Sequence, residues 1–134
     1  MKEPLWIYKG DALAIHEQLL VRHGGAAGLR DEGLLESALV RPRQQFAYAS
    51  PGIVEMAAAY TAGIVQNHPF VDGNKRTGFV VGALFLEMNG FEFRASEAEA
   101  AQAVLELAAG SIDETGFGAF LCDYAKRTRK RSKL

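Results

Sequence analysis

At 134 residues the chain suits one domain, large enough to bury about two-thirds of its unfolded surface in a single core without a second unit. Net charge is -1, but residues 126–134 hold six of the 15 basic residues and no acid; the body keeps 9 basic against 16 acidic residues, a net of -7, which argues against nucleic-acid binding by the fold itself. A single cysteine, Cys122, excludes an intrachain disulfide and a cysteine-rich metal site and suits a reducing cytoplasm.

The first residues, Met1-Lys2-Glu3-Pro4-Leu5, lack the apolar region of a secretory signal, and no apolar run approaches membrane-spanning length. Leu5-Trp6-Ile7-Tyr8 is too short for a helix and reads as a small strand or a clamp on the core. Asp11 can cap a first helix to about Arg22, with Gly24-Gly25 ending it. His16 and His23 lie in this stretch without a partner of catalytic type at helical spacing, so surface or core-edge roles are expected. Asp31 can cap a second helix carrying Leu34, Leu35, Ala38 and Leu39 until Pro42 stops it, and residues 43–52 are irregular. A third helix runs from about Ile53 to Asn67, apolar nearly all round, with Ala57, Ala58, Ala59, Ala62 and Gly63 permitting close helix approach.

There follows the densest chemistry in the chain, His68-Pro69-Phe70-Val71-Asp72-Gly73-Asn74-Lys75-Arg76-Thr77. Pro69 disfavours the α conformation at His68, so the third helix ends there and the imidazole projects from a loop. Asp72-Gly73 is a turn, Asn74 a good N-cap, and Lys75 and Arg76 fall on the first turn of a new helix. Cations at that terminus oppose the helix dipole; a bound anion, facing free backbone N–H groups, compensates them. Asp72 is a hard oxygen ligand suited to the magnesium that accompanies nucleotide phosphates, and His68 is left as a general base. Singly, each of these is an ordinary surface residue; together they predict a phosphate-handling site.

The fourth helix runs from Asn74 to Asn89, with Gly90 past its end, so the motif loop joins the two most buried helices. Phe91-Glu92-Phe93 is extended, Ser96 and Glu99 form the capping box of a fifth helix to about Ala109, and Asp113 or Thr115 opens a sixth. That helix carries Cys122 in an apolar stretch, which predicts a buried, inert thiol, and it dissolves into the basic tail. The expected fold class is all-α, a compact six-helix bundle over residues 1–125, with 126–134 as a basic C-terminal tail.

The ten-residue motif resembles the signature of the Fic/Doc family: His-Pro-Phe, two residues with an acid second, Gly-Asn, a variable residue and Arg. At the variable position Lys75 stands where Fic proteins that transfer AMP usually carry Gly, and lysine there is typical of the death-on-curing (Doc) branch. Gly28-Leu29-Arg30-Asp31-Glu32-Gly33-Leu34-Leu35-Glu36-Ser37-Ala38-Leu39, followed by Arg41-Pro42, is similar to the N-terminal part of that branch. Gly73, before the Asn, follows the Fic pattern where Doc itself has Ala.

The resemblance implies the Fic/Doc fold and a set of roles. His68 deprotonates a hydroxyl of a protein target; Asp72 ligates Mg2+ brought with ATP as co-substrate; Gly73, Asn74, Lys75 and Arg76 bind phosphate oxygens; Phe70 is the buried anchor of the loop. It also implies that residues 46–50 form a flap bordering the substrate groove. The function implied is that of a toxin kinase passing the γ-phosphate of ATP to a hydroxyl of translation elongation factor Tu, so arresting translation. AMP transfer to a protein hydroxyl is the alternative, and a catalytically silent binding module whose tail contacts RNA is a third reading. Many Fic proteins inhibit themselves with a helix of pattern Ser or Thr, three residues, Glu, then Gly or Asn. The only Glu followed by Gly or Asn is Glu32, with Gly28 four residues before it. The resemblance therefore implies an antitoxin in trans, Phd-like, in a bacterial cytoplasm, with no membrane and no DNA bound by the domain.

Overall fold

A helix that is apolar on every side must lie inside, and in α3 (Ile53–Asn67) all residues from 56 to 65 are buried. In the computed structural model, which describes residues 2–49 and 51–128, five further helices pack around it. α2 (Glu32–Ala49), α4 (Asn74–Met88) and α6 (Glu114–Tyr124) lie directly on α3, α1 (Lys9–His23) packs on α4, and α5 (Glu97–Ala109) on α4 and α6. Among the described residues this is the expected all-α, six-helix arrangement.

Small residues set the helix spacing. A Cβ at Gly63 would meet that of Ala38 at 3.1 Å, so α2 and α3 touch almost backbone to backbone. On the other side Thr61 Oγ1 donates to Gly78 O at 2.8 Å, and a Cβ at Gly82 would lie 2.9 Å from Ala57 O and closer still to Thr61 Oγ1. Gly82→Ala should therefore lower stability by about 1–3 kcal/mol in a urea titration, because overpacking outweighs the better helix propensity of alanine. A neutral result would mean that α3 and α4 separate without cost.

Several local expectations are corrected. Asp11 is not the cap of α1: the helix begins at Lys9, and Asp11 accepts the Tyr8 backbone N–H at 2.8 Å from the first turn. Pro42 does not stop α2, which runs on to Ala49. Leu35, Ala38, Leu39, Pro42 and Phe46 recur every three or four residues on the face turned to the core, and Phe46 meets Trp6 edge to face at 5.7 Å. Burial of that stripe outweighs the roughly 3 kcal/mol cost of an interior proline. Cys122 is exposed: Phe117 and Leu121 take the inward face of α6 and turn their neighbour outward. Of the two readings of Leu5-Trp6-Ile7-Tyr8, the clamp is correct, with Trp6 and Ile7 buried and Tyr60 Oη accepting the Ile7 N–H at 3.0 Å.

The last described residues are not a loose tail. β1 (Phe91–Phe93) pairs antiparallel with β2 (Ala125–Arg127), Phe91 opposite Arg127 and Phe93 opposite Ala125. The basic tail beyond Thr128 and Ser50 of the expected flap lie outside the described residues.

Candidate active site

The loop between α3 and α4 is built around one strained residue. His68 caps α3 at φ 53°, ψ 55°, while its N–H still donates to Ile64 O at 3.0 Å. Among the described residues it is the one non-glycine with positive φ. Such a conformation costs on the order of 1–3 kcal/mol and persists only where its surroundings enforce it. The imidazole is exposed.

Those surroundings come largely from the segment between α1 and α2. Pro69 O accepts the backbone N–H groups of Arg30 at 2.7 Å and Asp31 at 2.9 Å, and Gly28 O accepts that of Val71 at 3.0 Å, forming a β-bridge between Leu29 and Phe70. The Arg30 side chain donates to His68 O at 2.7 Å and Asn67 O at 3.0 Å. Phe70 is fully buried and stacks on His16, ring centroids 3.8 Å apart and planes 9° apart. His16, itself buried, is 2.8 Å from Asp72 O through Nε2, which donates its proton to that carbonyl.

α4 begins past Gly73, the N-cap residue, in the left-handed region at φ 79°. Asn74 is thus not the cap, and its side chain does not face an anion. The amide turns inward, Oδ1 accepting the Phe70 N–H and Nδ2 donating to Phe70 O, both at 2.9 Å. The Gly73 N–H, expected to bind phosphate, donates here to Asp72 Oδ1 at 2.8 Å. The first helical bond is from Thr77 N–H to Gly73 O, so the N–H groups of Asn74, Lys75 and Arg76 precede the ladder and have no intrahelical acceptor. The side chains of Lys75 and Arg76 are exposed, and no acid stands in this first turn.

Asp72 lies between the imidazole and the helix terminus. Its Oδ2 accepts the Ala26 N–H at 3.2 Å, and the Ala26 and Gly73 N–H bonds, in that order, hold the carboxyl below its usual pKa, with His16 and His68 adding smaller attractions. It is therefore ionised at neutral pH and keeps lone pairs free on both oxygens. One carboxylate beside an anion-accepting terminus fits magnesium, which is commonly held by one or two carboxylates together with substrate phosphates and water. Among the described residues no cluster of three acidic, histidine or cysteine ligands would hold a metal without such a substrate.

Residues 46–49 do not border this loop. Phe46 packs into the core and Ala49 sits beside Val54 and Glu55 at the start of α3, a helix length of about 20 Å from His68. The chain that borders the motif is instead residues 24–31. Sequence reasoning also missed His16 and Arg30 as site residues. His16 lies 56 residues from its partner and shows no local pattern, whereas Arg30 stood inside the family-like N-terminal stretch without a role.

Fold and site together define a mostly helical protein in which an exposed imidazole and a helix terminus carrying two cations share one loop between the two central helices. Residues 6–86 match the Fic/DOC family, and the chain belongs to that family. It is 40% identical over 78 residues to the "Toxin Doc" of Mycolicibacterium smegmatis, a match covering 56% of this chain and 59% of that protein. It is 32% identical over 83 residues to the "Protein kinase doc" of Escherichia phage P1, covering 61% of this chain and 66% of that one. In both cases the match spans slightly less than two-thirds of the relative.

Proposed function

We propose that this protein is the toxin of a toxin–antitoxin pair and a kinase of protein hydroxyl groups, acting on translation elongation factor Tu with ATP as phosphate donor. The observation that carries the reading is the common loop: the exposed imidazole of His68, the ionised Asp72 and the cationic, unpaired N-terminus of α4 follow one another within nine residues. The names of the two relatives support the same direction. His68 takes the proton of the target hydroxyl as its oxygen bonds to the γ-phosphorus. The bond from that phosphorus to the β–γ bridging oxygen breaks, and ADP leaves with the electron pair. Lys75, Arg76 and the N–H groups of Asn74, Lys75 and Arg76 bind phosphate oxygens and stabilise charge in transfer. Magnesium held by Asp72 would neutralise phosphate charge.

The test is transfer from ATP labelled on the α- or the γ-phosphate to purified elongation factor Tu, and to a bacterial extract, with His68→Ala as control. Label from the γ position alone, passed only by the unmutated protein, is expected. Label from the α position would establish AMP transfer, and no transfer in any lane would sink the enzyme reading. Gly73, the residue that favours AMP transfer, has a local explanation in its φ of 79°, which glycine adopts without strain. Lys75 is therefore the discriminating position: a side chain there occupies space that glycine would leave to another phosphate. Lys75→Gly should move label from the γ towards the α channel, and unchanged products would refute this account. A Phd-like antitoxin supplied in trans, expected from the neighbouring reading frame, should relieve growth arrest on co-expression; a protein that is active yet harmless alone would not be a toxin.

A further inference from the structure

We infer that Arg30 is a positioning residue for His68, holding it in the left-handed conformation from which the imidazole is presented; the inference rests on the reading of the site as a transferase centre. Three successive carbonyls at the end of α3 are bound by this one residue. Its Nη2 donates to Asn67 O at 3.0 Å, its Nε to His68 O at 2.7 Å, and its backbone N–H to Pro69 O at 2.7 Å. The first two oxygens lie at the negative end of the helix dipole, where a cation is favoured. The planar guanidinium spans both at once, which a lysine ammonium, a single point of charge, does not. Among the described residues no other side chain donates to His68 O. Asn67, the residue before, is tied to the core by Nδ2 donating to Leu34 O at 2.9 Å.

The residue preceding a proline favours extended backbone, so His68 held at φ 53° is away from its preferred basin. Loss of the guanidinium removes the side-chain restraint on the His68 carbonyl while leaving the backbone bonds to Pro69 in place. The carbonyl then turns and the imidazole swings with it. A general base displaced by about 1 Å loses on the order of 10²-fold in rate without any change in nucleotide contacts.

The test compares the unmutated protein with Arg30→Met, which keeps the stem and the backbone donor, and with Arg30→Lys. The kcat for phosphate transfer should fall about 10²-fold in Arg30→Met, with KM for ATP changed by less than about twofold. Arg30→Lys should behave more like Arg30→Met than like the unmutated protein. In 13C,15N-labelled protein, the His68 Cα shift and its amide–Hα coupling should report left-handed backbone in the unmutated chain and an extended average in both variants. A raised KM with kcat preserved would overturn the inference, because Arg30 would then bind nucleotide. So would left-handed His68 signals that persist in the variants. If Arg30→Met does not fold, Arg30→Lys carries both readouts. If the unmutated protein transfers no phosphate, the reading of the site fails, and the backbone signals alone decide whether Arg30 holds His68.

Discussion

His68→Ala and His68→Gly should lose transfer to the same extent, about 10²- to 10⁴-fold for removal of a general base, yet differ in stability. His68 sits at φ 53°, ψ 55°, where a Cβ crowds the following carbonyl oxygen and glycine does not. The glycine variant should therefore be more stable than the alanine variant by about 1 kcal/mol in denaturant unfolding, measured alongside the transfer assay. At an ordinary position the order would be reversed, because glycine has the greater unfolded-state entropy to lose. Equal stabilities would show that the residue leaves the left-handed region once the imidazole is gone. Transfer surviving in both variants would show that the proton goes elsewhere.

Phe70→Ala is expected to have the largest effect on stability. The ring is fully buried, stacks on His16 and stands in the middle of the loop that joins α3 to α4. Truncating a buried phenylalanine costs about 3–5 kcal/mol, a large part of the 5–15 kcal/mol that holds a domain of this size together. Thermal unfolding should move down by about 10 °C or more, and transfer should disappear with the loop geometry. Asn74→Asp tests the neighbouring contact with almost no change of shape. The carboxylate can still accept the Phe70 N–H but presents an oxygen to Phe70 O where the amide donated. It should cost about 1–3 kcal/mol of stability. A raised KM for ATP with stability intact would return Asn74 to the phosphate-binding role that its place in the motif suggested.

The two sets of variants separate what the loop does from what holds it. His68, Asp72, Lys75 and Arg76 are exposed; replacing Lys75 or Arg76 removes no buried contact, whereas replacing Asp72 also removes the bonds from the Ala26 and Gly73 N–H groups. The side chains of Phe70, Asn74 and His16 are buried, and their contacts hold the loop in place.

Interactions that close within a few residues were legible from the chain alone. The extent of α3, the Ser96–Glu99 capping box and the end of α5 at Gly110 follow from turn chemistry and periodicity. So does the break at His68-Pro69, because the clash that ends the helix lies between adjacent residues. The ten residues of the motif are contiguous and were found for that reason. What holds them was not legible, since Arg30 and His16 reach the loop from 38 and 56 residues away and no local pattern records a contact of that range. Packing also overruled local rules: burial of one face carried α2 through Pro42, and the partner found inside the loop turned the Asn74 amide inward. Residue types and spacing determined which groups could do chemistry, and long-range burial and hydrogen bonding decided which of them face the solvent to do it.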